Sequence, residues 1–281
     1  MRIAVASGKG GTGKTTVAVS LALALAETQS VQLLDCDVEE PNVHLFVHPE
    51  ITAAHAVDKL LPQVDEAICQ RCGDCVRACE FHALALLGQH IVVFPELCHG
   101  CGRCTLVCPH GAIDEVAHSL GTVETGTARG LLYGQGALDV GEAMATPIIR
   151  ELKREIRPES TVVLDAPPGT GCPAIAVLRW VDIALLVTEP TSFGLHDLKA
   201  AVGVARTLDV PMAVVLNRAG VGDDQVEAYC AQERIPLLLK IPFDRAIASS
   251  YAVGIPLVDA LPEWRKAFAE LEEELRAVMA E

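Results

Sequence analysis

Eight of the eleven cysteines in this chain of 281 residues lie within one short segment. They form two runs of identical spacing, C-x2-C-x2-C-x3-C. The first run is Cys69, Cys72, Cys75 and Cys79, and the second is Cys98, Cys101, Cys104 and Cys108. Cysteines packed this densely point to metal ligation, because disulfides are rare in cytosolic proteins, among which we expect this chain. The repeated register is the bacterial pattern for two [4Fe–4S] clusters, in which the fourth cysteine of each run ligates the other cluster.

The spacing therefore predicts two sites with four thiolates each. One site comprises Cys69, Cys72, Cys75 and Cys108; the other comprises Cys79, Cys98, Cys101 and Cys104. Glu80 stands where a proline usually follows the first run, which changes a turn residue and not a ligand. A pair of zinc sites is the alternative, although zinc sites seldom use this register. His82, His99 and His110 are predicted to be surface residues without a ligand role.

A second motif predicts phosphate binding. Residues 8–15 read GKGGTGKT and match G-x-x-x-x-G-K-[ST]. In this motif backbone N–H groups surround phosphate oxygens, the lysine reaches the β- and γ-phosphates, and the hydroxyl completes the Mg²⁺ shell. The predicted ATP contacts are Gly8, Lys9, Gly10, Gly11, Thr12, Gly13, Lys14, Thr15 and Thr16.

The elements around the loop place it correctly for this chemistry. Residues 2–7 predict a strand before the loop, residues 14–27 a helix after it, and residues 31–35 the next strand. After Asn42 the pattern breaks into short segments. Helices are predicted at 140–156 and 195–208, and strands at 161–165, 182–188, 212–217 and 236–241. Strands that alternate with helices indicate an α/β fold with a mostly parallel sheet, whose ligands bind at the carboxyl ends of the strands.

Lys9, directly after the first glycine of the motif, makes the loop resemble that of the MinD, ParA, Mrp and nitrogenase iron protein group. The resemblance implies a homodimer when ATP is bound, in which Lys9 reaches the nucleotide of the partner. A solvated loop lysine is the alternative. Residues 35–42 (DCDVEEPN) resemble the first switch of the group and residues 162–171 (VVLDAPPGTG) the second.

The same resemblance implies roles for single residues. Asp37 would orient the attacking water, so that Lys9, Lys14 and Asp37 form the catalytic set. Thr15, Asp35 and Asp165 would serve Mg²⁺, and Asn217 would recognise adenine. Cys172 lies seven residues after Asp165, at the offset of a cluster-ligating cysteine in the nitrogenase iron protein. A cluster bridging two protomers and a small residue packed at a helix start are both open interpretations of Cys172.

The net charge of the chain indicates which classes of partner it is expected to bind. The formal net charge is −15, which argues against nucleic acid and anionic membranes as main partners. The amphipathic tail from Glu263 could dock on a membrane, as in MinD, or pack on the sheet; its glutamate-rich polar face favours packing. No stretch approaches the length of a membrane span. We therefore expect a cytoplasmic protein.

Together these features predict a P-loop NTPase domain at residues 1–65 and 118–281, interrupted at 66–117 by a small α+β ferredoxin-like module. The leading functional hypothesis is a dimeric ATPase whose nucleotide cycle is coupled to electron transfer through two [4Fe–4S] clusters to a redox partner. The first alternative is an ATPase that assembles or delivers clusters to a client protein. The second is a positioning or partition ATPase that uses the insert to dock a partner.

Overall fold

The computed structural model describes residues 1–280, so the last position of the predicted ATPase domain, Glu281, lies outside the described residues. The chain forms two compact units. Within the described residues, the first unit comprises 1–55, 123–137 and 145–280, and the second comprises Ala56–Thr122 and Leu138–Met144. The predicted boundaries at 65/66 and 117/118 stay a prediction.

The first unit is built on a mostly parallel sheet. Its strands are β1 (Arg2–Ala6), β2 (Val31–Asp35), β7 (Leu131–Leu138), β8 (Thr161–Asp165), β9 (Ile183–Thr188), β10 (Met212–Ala219) and β11 (Leu237–Pro242). Two long strands, β3 (Glu50–Val64) and β6 (Ile113–Ala128), begin or end in this unit. The sheet order is β11-β10-β9-β1-β8-β2-β7-β6-β3. The predicted α/β class and mostly parallel sheet are confirmed.

Helices join these strands. They are α1 (Lys14–Leu25), α2 (His44–Val47), α5 (Ala145–Leu152), α6 (Cys172–Leu178), α7 (Ser192–Thr207), α8 (Gln225–Glu233), α9 (Arg245–Ala252), α10 (Leu257–Ala260) and α11 (Trp264–Ala280). From Val17 to Leu25, helix α1 is almost entirely apolar and is buried in the core. On α11, Phe268, Leu271 and Leu275 are buried in the same core, so the predicted packing of the tail is confirmed. No described helix is long and apolar enough to cross a membrane.

The second unit contains short elements: α3 (Asp74–Ala78), β4 (Leu84–Leu87), β5 (His90–Val93) and α4 (Arg103–Val107). Strands β4 and β5 form an antiparallel pair, with Leu84 opposite Val93. Helices α3 and α4 each begin within one cysteine run. The core of the unit includes Cys75, Cys98 and Cys104 next to Leu61, Leu84 and Ile113, so cysteines form part of the interior.

Two predictions differ from the structure. The helix predicted at 140–156 begins only at Ala145 and ends at Leu152, followed by one 3-10 turn. Gly141 has a φ of 94°, a left-handed conformation that a helix does not continue through. The strands β3, β6 and β7 were not predicted. A turn at Arg129 and Gly130, both with positive φ, joins β6 to β7 as a two-residue hairpin.

Candidate functional site

The phosphate loop joins the end of β1 to the start of α1, as predicted. Gly11 and Gly13 adopt left-handed φ values of 77° and 92°, which glycine accepts without strain. The Lys14 side chain is buried at the helix start, where N–H groups and the helix dipole favour an anion. The loop therefore has the backbone shape that the motif predicts for phosphate oxygens.

Gly8 fits against helix α7 with no space for a side chain. A Cβ at Gly8 would lie 2.1 Å from the carbonyl oxygen of Asp197, whereas a Cβ at Gly10 would have only Pro168 within 4 Å, at 3.9 Å. The helix backbone thus fixes where the loop begins.

We expect Gly8→Ala to displace the loop and to lower the free energy of unfolding by about 1–3 kcal/mol, the usual cost of overpacking. Weaker ATP binding should accompany this loss. Thermal unfolding and nucleotide titration measure both, with Gly10→Ala as the matched control. Equal effects of the two substitutions on stability would contradict the close approach as the cause.

Two carboxylates lie side by side next to this loop. Asp35 ends β2 and Asp165 ends β8, and they occupy paired positions of neighbouring parallel strands. The Thr15 hydroxyl donates a hydrogen bond of 2.7 Å to Oδ2 of Asp165. Oδ1 of Asp165 is buried and has no protein partner among the described residues. A free carboxylate oxygen beside a threonine hydroxyl is the hard oxygen donor set that Mg²⁺ prefers, so these residues fit the ion.

The two predicted switch aspartates have different surroundings. Asp35 is fully buried and accepts backbone N–H bonds from Asp37 (3.2 Å), Asn42 (2.9 Å) and Val43 (3.0 Å). These contacts fix the loop after β2, and a Mg²⁺ role for Asp35 stays a prediction. Asp37 instead lines the large cavity next to the phosphate loop, where a water-orienting role requires it.

Burial raises the pKa of Asp165 to about 7, against which the Thr15 hydrogen bond and the Lys14 charge act. Burial likewise raises the pKa of Asp37 to about 6. The folded protein thus holds the Asp165 proton at pH values where the unfolded chain has already lost it. The contribution of this carboxyl to stability therefore falls as pH rises from about 4 to about 7, because in that range the native state binds its proton and the unfolded state does not.

We expect Asp165→Asn to flatten this pH dependence. Without Mg²⁺ and nucleotide, the variant should lose less melting temperature between pH 5 and pH 8 than the wild type. Mg²⁺ with ATP should stabilise the wild type at pH 8 and have little effect on the variant. Thermal unfolding at both pH values measures this, with the exposed Asp114→Asn as control. An unchanged slope in Asp165→Asn would contradict the assignment.

The cavity beside the loop has a volume of about 410 Å³. Part of its lining is the phosphate loop with Asp37 and Pro168. Further lining residues lie in or directly after strands β10 and β11 and in helix α9, and they were not predicted from the sequence. These are Arg218, Pro242, Phe243, Asp244, Ile247, Ala248 and Tyr251. The backbone N–H groups of the loop suit the phosphates of a nucleotide, and the two aromatic rings suit its base.

Lys9 and Asn217 contact protein groups around the loop. Lys9 Nζ lies 3.9 Å from Oε2 of Glu189, whose Oε1 accepts from Arg218 at 2.8 Å. Asn217 Nδ2 donates to the Thr12 carbonyl at 2.8 Å. The charge of Lys9 is thus close to an acid of its own chain and its side chain is about 34% exposed. Adenine recognition by Asn217 and the action of Lys9 on a partner stay predictions.

The eight cysteines separate into two groups within the second unit. Each group lines one small cavity: Cys69, Cys72, Cys75 and Cys108 line the first, and Cys79, Cys98, Cys101 and Cys104 line the second. In each cavity, the fourth cysteine comes from the other run. The structure thus brings together the two predicted sets of four.

Backbone amides point at three of these sulfurs. Ala83 N–H donates to Cys79 Sγ at 3.3 Å, Gly100 to Cys98 at 3.5 Å and Ala112 to Cys108 at 3.4 Å. Such donors favour thiolates and tune iron–sulfur centres. The cavities and donors fit [4Fe–4S] clusters. Among residues 1–280, no three Cys, His, Asp or Glu side chains converge as for a single metal ion.

Cys172 is exposed at the first residue of α6. Cys36 and Cys230 are buried, and burial raises the pKa of the Cys230 thiol to about 11. None of the three lines a cavity with the other eight. His82, His99 and His110 are exposed, as predicted.

Comparisons with known proteins agree with this geometry. The family described as the CobQ/CobB/MinD/ParA nucleotide binding domain matches residues 3–257. Uncharacterized protein MJ0578 of Methanocaldococcus jannaschii is 30% identical over 279 residues, which cover 98% of this chain and 96% of the relative. An iron-sulfur cluster carrier protein of Pyrococcus horikoshii is 28% identical, with 98% of this chain and 85% of the carrier covered.

Among solved structures, the cell division ATPase MinD of Pyrococcus furiosus superposes with a TM-score of 0.61 at 24% identity, covering 99% of this chain and 98% of that one. MinD of Pyrococcus horikoshii, solved with Mg-ADP, superposes with a TM-score of 0.60 at 22% identity, covering 97% and 94%. These likenesses confirm the predicted P-loop fold. The matched family spans most of the chain and includes both the phosphate loop and the paired carboxylates. The chain therefore belongs to the CobQ/CobB/MinD/ParA family of nucleotide-binding domains.

Proposed function

We propose that this protein is an ATP-hydrolysing dimeric switch that couples its nucleotide cycle to electron transfer through two [4Fe–4S] clusters. The observation that carries the proposal is the presence, in one chain of this ATPase family, of two cavities that each collect one complete set of four cysteines. A protein that only bound nucleotide would have no need for either set.

In this proposal, different residues of the nucleotide site bind the phosphates, bind Mg²⁺ and orient the attacking water. The N–H groups of residues 8–16 and the Lys14 ammonium bind the phosphates. Thr15 and Asp165 hold Mg²⁺, which neutralises charge on the phosphate oxygens when bound. Asp37 orients the water that attacks the γ-phosphorus, and its carboxylate accepts the proton of that water. Lys9 of one protomer stabilises negative charge on the nucleotide of its partner, as an arginine finger does.

The eight cysteine thiolates of the second unit form two sets, one for each cluster. Cys69, Cys72, Cys75 and Cys108 hold one cluster, and Cys79, Cys98, Cys101 and Cys104 hold the other. Each cluster, when bound, stores and releases one electron. Burial raises the pKa of the Cys75 and Cys104 thiols, so metal binding must displace their protons. In this proposal the second unit is the ferredoxin-like module of the protein.

Coupling between the two functions is a free energy and can be measured as a potential. We expect a non-hydrolysable ATP analogue to shift the midpoint potential of at least one cluster by about 60 mV, which corresponds to about 1.4 kcal/mol for one electron. An anaerobic redox titration followed by EPR, with and without the analogue, measures the shift. Unchanged potentials under saturating analogue would refute coupled electron transfer.

A second candidate function has support from the comparisons. Relatives that match 98% of this chain are named iron-sulfur cluster carrier proteins, which favours delivery of clusters to a client. Delivery requires labile clusters, whereas a site with four thiolates, three of which are buried or half-buried, should retain its cluster. Incubation of the loaded protein with an apo-ferredoxin and ATP distinguishes the two functions. Iron transfer that depends on ATP would favour delivery, and retention of iron would favour electron transfer.

A further inference from the structure

The two cysteine cavities differ at their openings. Leu60, Phe81, His99, Cys101 and Glu115 are exposed and line the cavity of Cys79, Cys98, Cys101 and Cys104. We call these five residues the Cys101 face. Arg103 is also exposed there, and its charge is paired with Glu80. Leu60 and Phe81 are 46% and 39% exposed, which is high for large apolar side chains beside a cavity.

The Cys101 face is continuous. The Phe81 and His99 rings stack with centroids 3.8 Å apart at an interplanar angle of 14°. A Cβ at Gly100 would lie 3.1 Å from the Leu60 carbonyl oxygen, so the loop between His99 and Cys101 packs against Leu60. On the other side of Cys101, a Cβ at Gly102 would lie 3.1 Å from Oε1 of Glu115. These contacts place Leu60 and Glu115 directly beside the loop that carries Cys101.

The opening of the other cavity is polar. Gln70 and His110 are exposed there together with Cys72, and Asp74 forms an ion pair with Arg77. Among the described residues that line this cavity, the large apolar ones are buried or half-buried. Each cavity therefore has one exposed cysteine at its opening, but the residues around the two openings differ. Of the two, the Cys101 face has exposed large apolar side chains at its centre.

The net negative charge of the second unit indicates what kind of protein would bind the Cys101 face. The second unit contains ten acidic and four basic residues, and each [4Fe–4S] core with four thiolates adds about two negative charges. An apolar centre on a unit with this excess of acids complements a protein whose contact surface is apolar in the middle and rich in lysine or arginine at its edge. The exposed Cys101 lies within the centre, where a ligand of the cluster comes nearest to solvent.

We propose that the Cys101 face is the docking surface for a basic one-electron redox protein, so that electrons cross at this cavity and not at the one of Cys72. This inference rests on the proposed electron-transfer function. On docking, one electron passes from the reduced cluster site to the oxidised centre of the partner. The site loses that electron and the partner gains it, and no bond or proton needs to move.

Reduction of cytochrome c, used as a basic haem probe, tests the proposal. The reconstituted full chain is reduced anaerobically, freed of reductant and mixed with ferric cytochrome c in a stopped-flow instrument. We expect Leu60→Ser to lower the second-order rate constant about tenfold and Glu115→Gln to lower it about threefold with a weaker salt dependence. Asp74→Asn, the matched change at the other opening, should leave the rate constant within about twofold.

Three controls keep the result interpretable. Iron content and EPR spectra of each variant show whether both clusters are present. Hexaammineruthenium(III), a small oxidant that needs no docking surface, should be reduced equally by wild type and Leu60→Ser. Light scattering shows whether the face is instead covered by a second copy of this chain.

The proposal is overturned if Asp74→Asn slows cytochrome c reduction more than Glu115→Gln does, or if Leu60→Ser has no effect. It is also overturned if Leu60→Ser dissociates a dimer of this chain. A wild type that binds no cluster after reconstitution would refute the proposed function and this surface together. A wild type that binds both clusters and reduces cytochrome c as fast as every variant would refute the surface alone.

Discussion

Replacing Cys108 with alanine should abolish the cluster held by the first cysteine run, although Cys108 belongs to the second run. The reason is the composition of the cavities: Cys108 lines the one formed by Cys69, Cys72 and Cys75. Cys79 lines the other. We expect each of Cys108→Ala and Cys79→Ala to lose about half of the bound iron, because each removes a ligand from a single four-thiolate site.

The EPR spectrum shows which of the two clusters is lost, which the iron content alone does not. Cys108→Ala should lose the same EPR signal as Cys75→Ala, and Cys79→Ala the same signal as Cys104→Ala. Cys172→Ala is the matched control, since Cys172 lies at the start of α6 outside both cavities. Loss of the same signal from Cys108→Ala and Cys104→Ala would contradict the exchange of fourth ligands. Loss of iron from Cys172→Ala would show instead that this residue ligates a cluster.

The residues of the phosphate site could be predicted because their chemistry is local. The loop needs glycines at fixed positions, and strands such as Val31–Asp35 and Thr161–Asp165 are short, mostly apolar runs that end at an acid. Strands buried on both faces have this composition. The pairing of Asp35 with Asp165 follows once both strands are placed side by side in a parallel sheet.

Other parts could not be predicted because they depend on the neighbours that a segment acquires. Strand β3 reads EITAAHAVDKLLPQV, which has neither a sustained apolar run nor the clean alternation that indicates a strand. The wall formed by Phe243 and Tyr251 lies more than 200 residues from the phosphate loop in sequence. The position of Phe243, just after the last strand, was a usable signal, since ligands bind where parallel strands end.

The different surroundings of Asp35 and Asp37 also needed the structure. The two residues are close in sequence and equally acidic, and the resemblance implied catalytic or metal roles for both. The backbone gives them different contacts. Asp35 is fully buried and accepts three N–H bonds, which leaves Asp37 as the acid in contact with the cavity.

A mixture of two inactive variants should recover ATP hydrolysis if Lys9 acts on the partner's nucleotide. Lys9→Ala and Asp37→Asn should each lower turnover at least about 100-fold, as loss of a charge-stabilising or water-orienting group does. In a mixed dimer, the site of the Lys9→Ala chain has its own Asp37 and receives Lys9 from the Asp37→Asn chain. With random assortment, an equimolar mixture should reach about a quarter of wild-type activity per chain, because half of the dimers then contain one complete site.

In the structure of the single chain, Lys9 lies near an acid of its own chain, with Nζ 3.9 Å from Oε2 of Glu189. The test therefore asks whether Lys9 acts within its own chain or on the partner. Neither chain of the mixture contains both Lys9 and Asp37. If the lysine served only the nucleotide of its own chain, no site in the mixture would therefore be complete. The mixture would then stay as inactive as its components. The doubly substituted chain, Lys9→Ala with Asp37→Asn, is the matched control, since mixing it with either single variant completes no site. Phosphate release at equal total protein concentration therefore decides whether the ATPase site is built from one chain or from two.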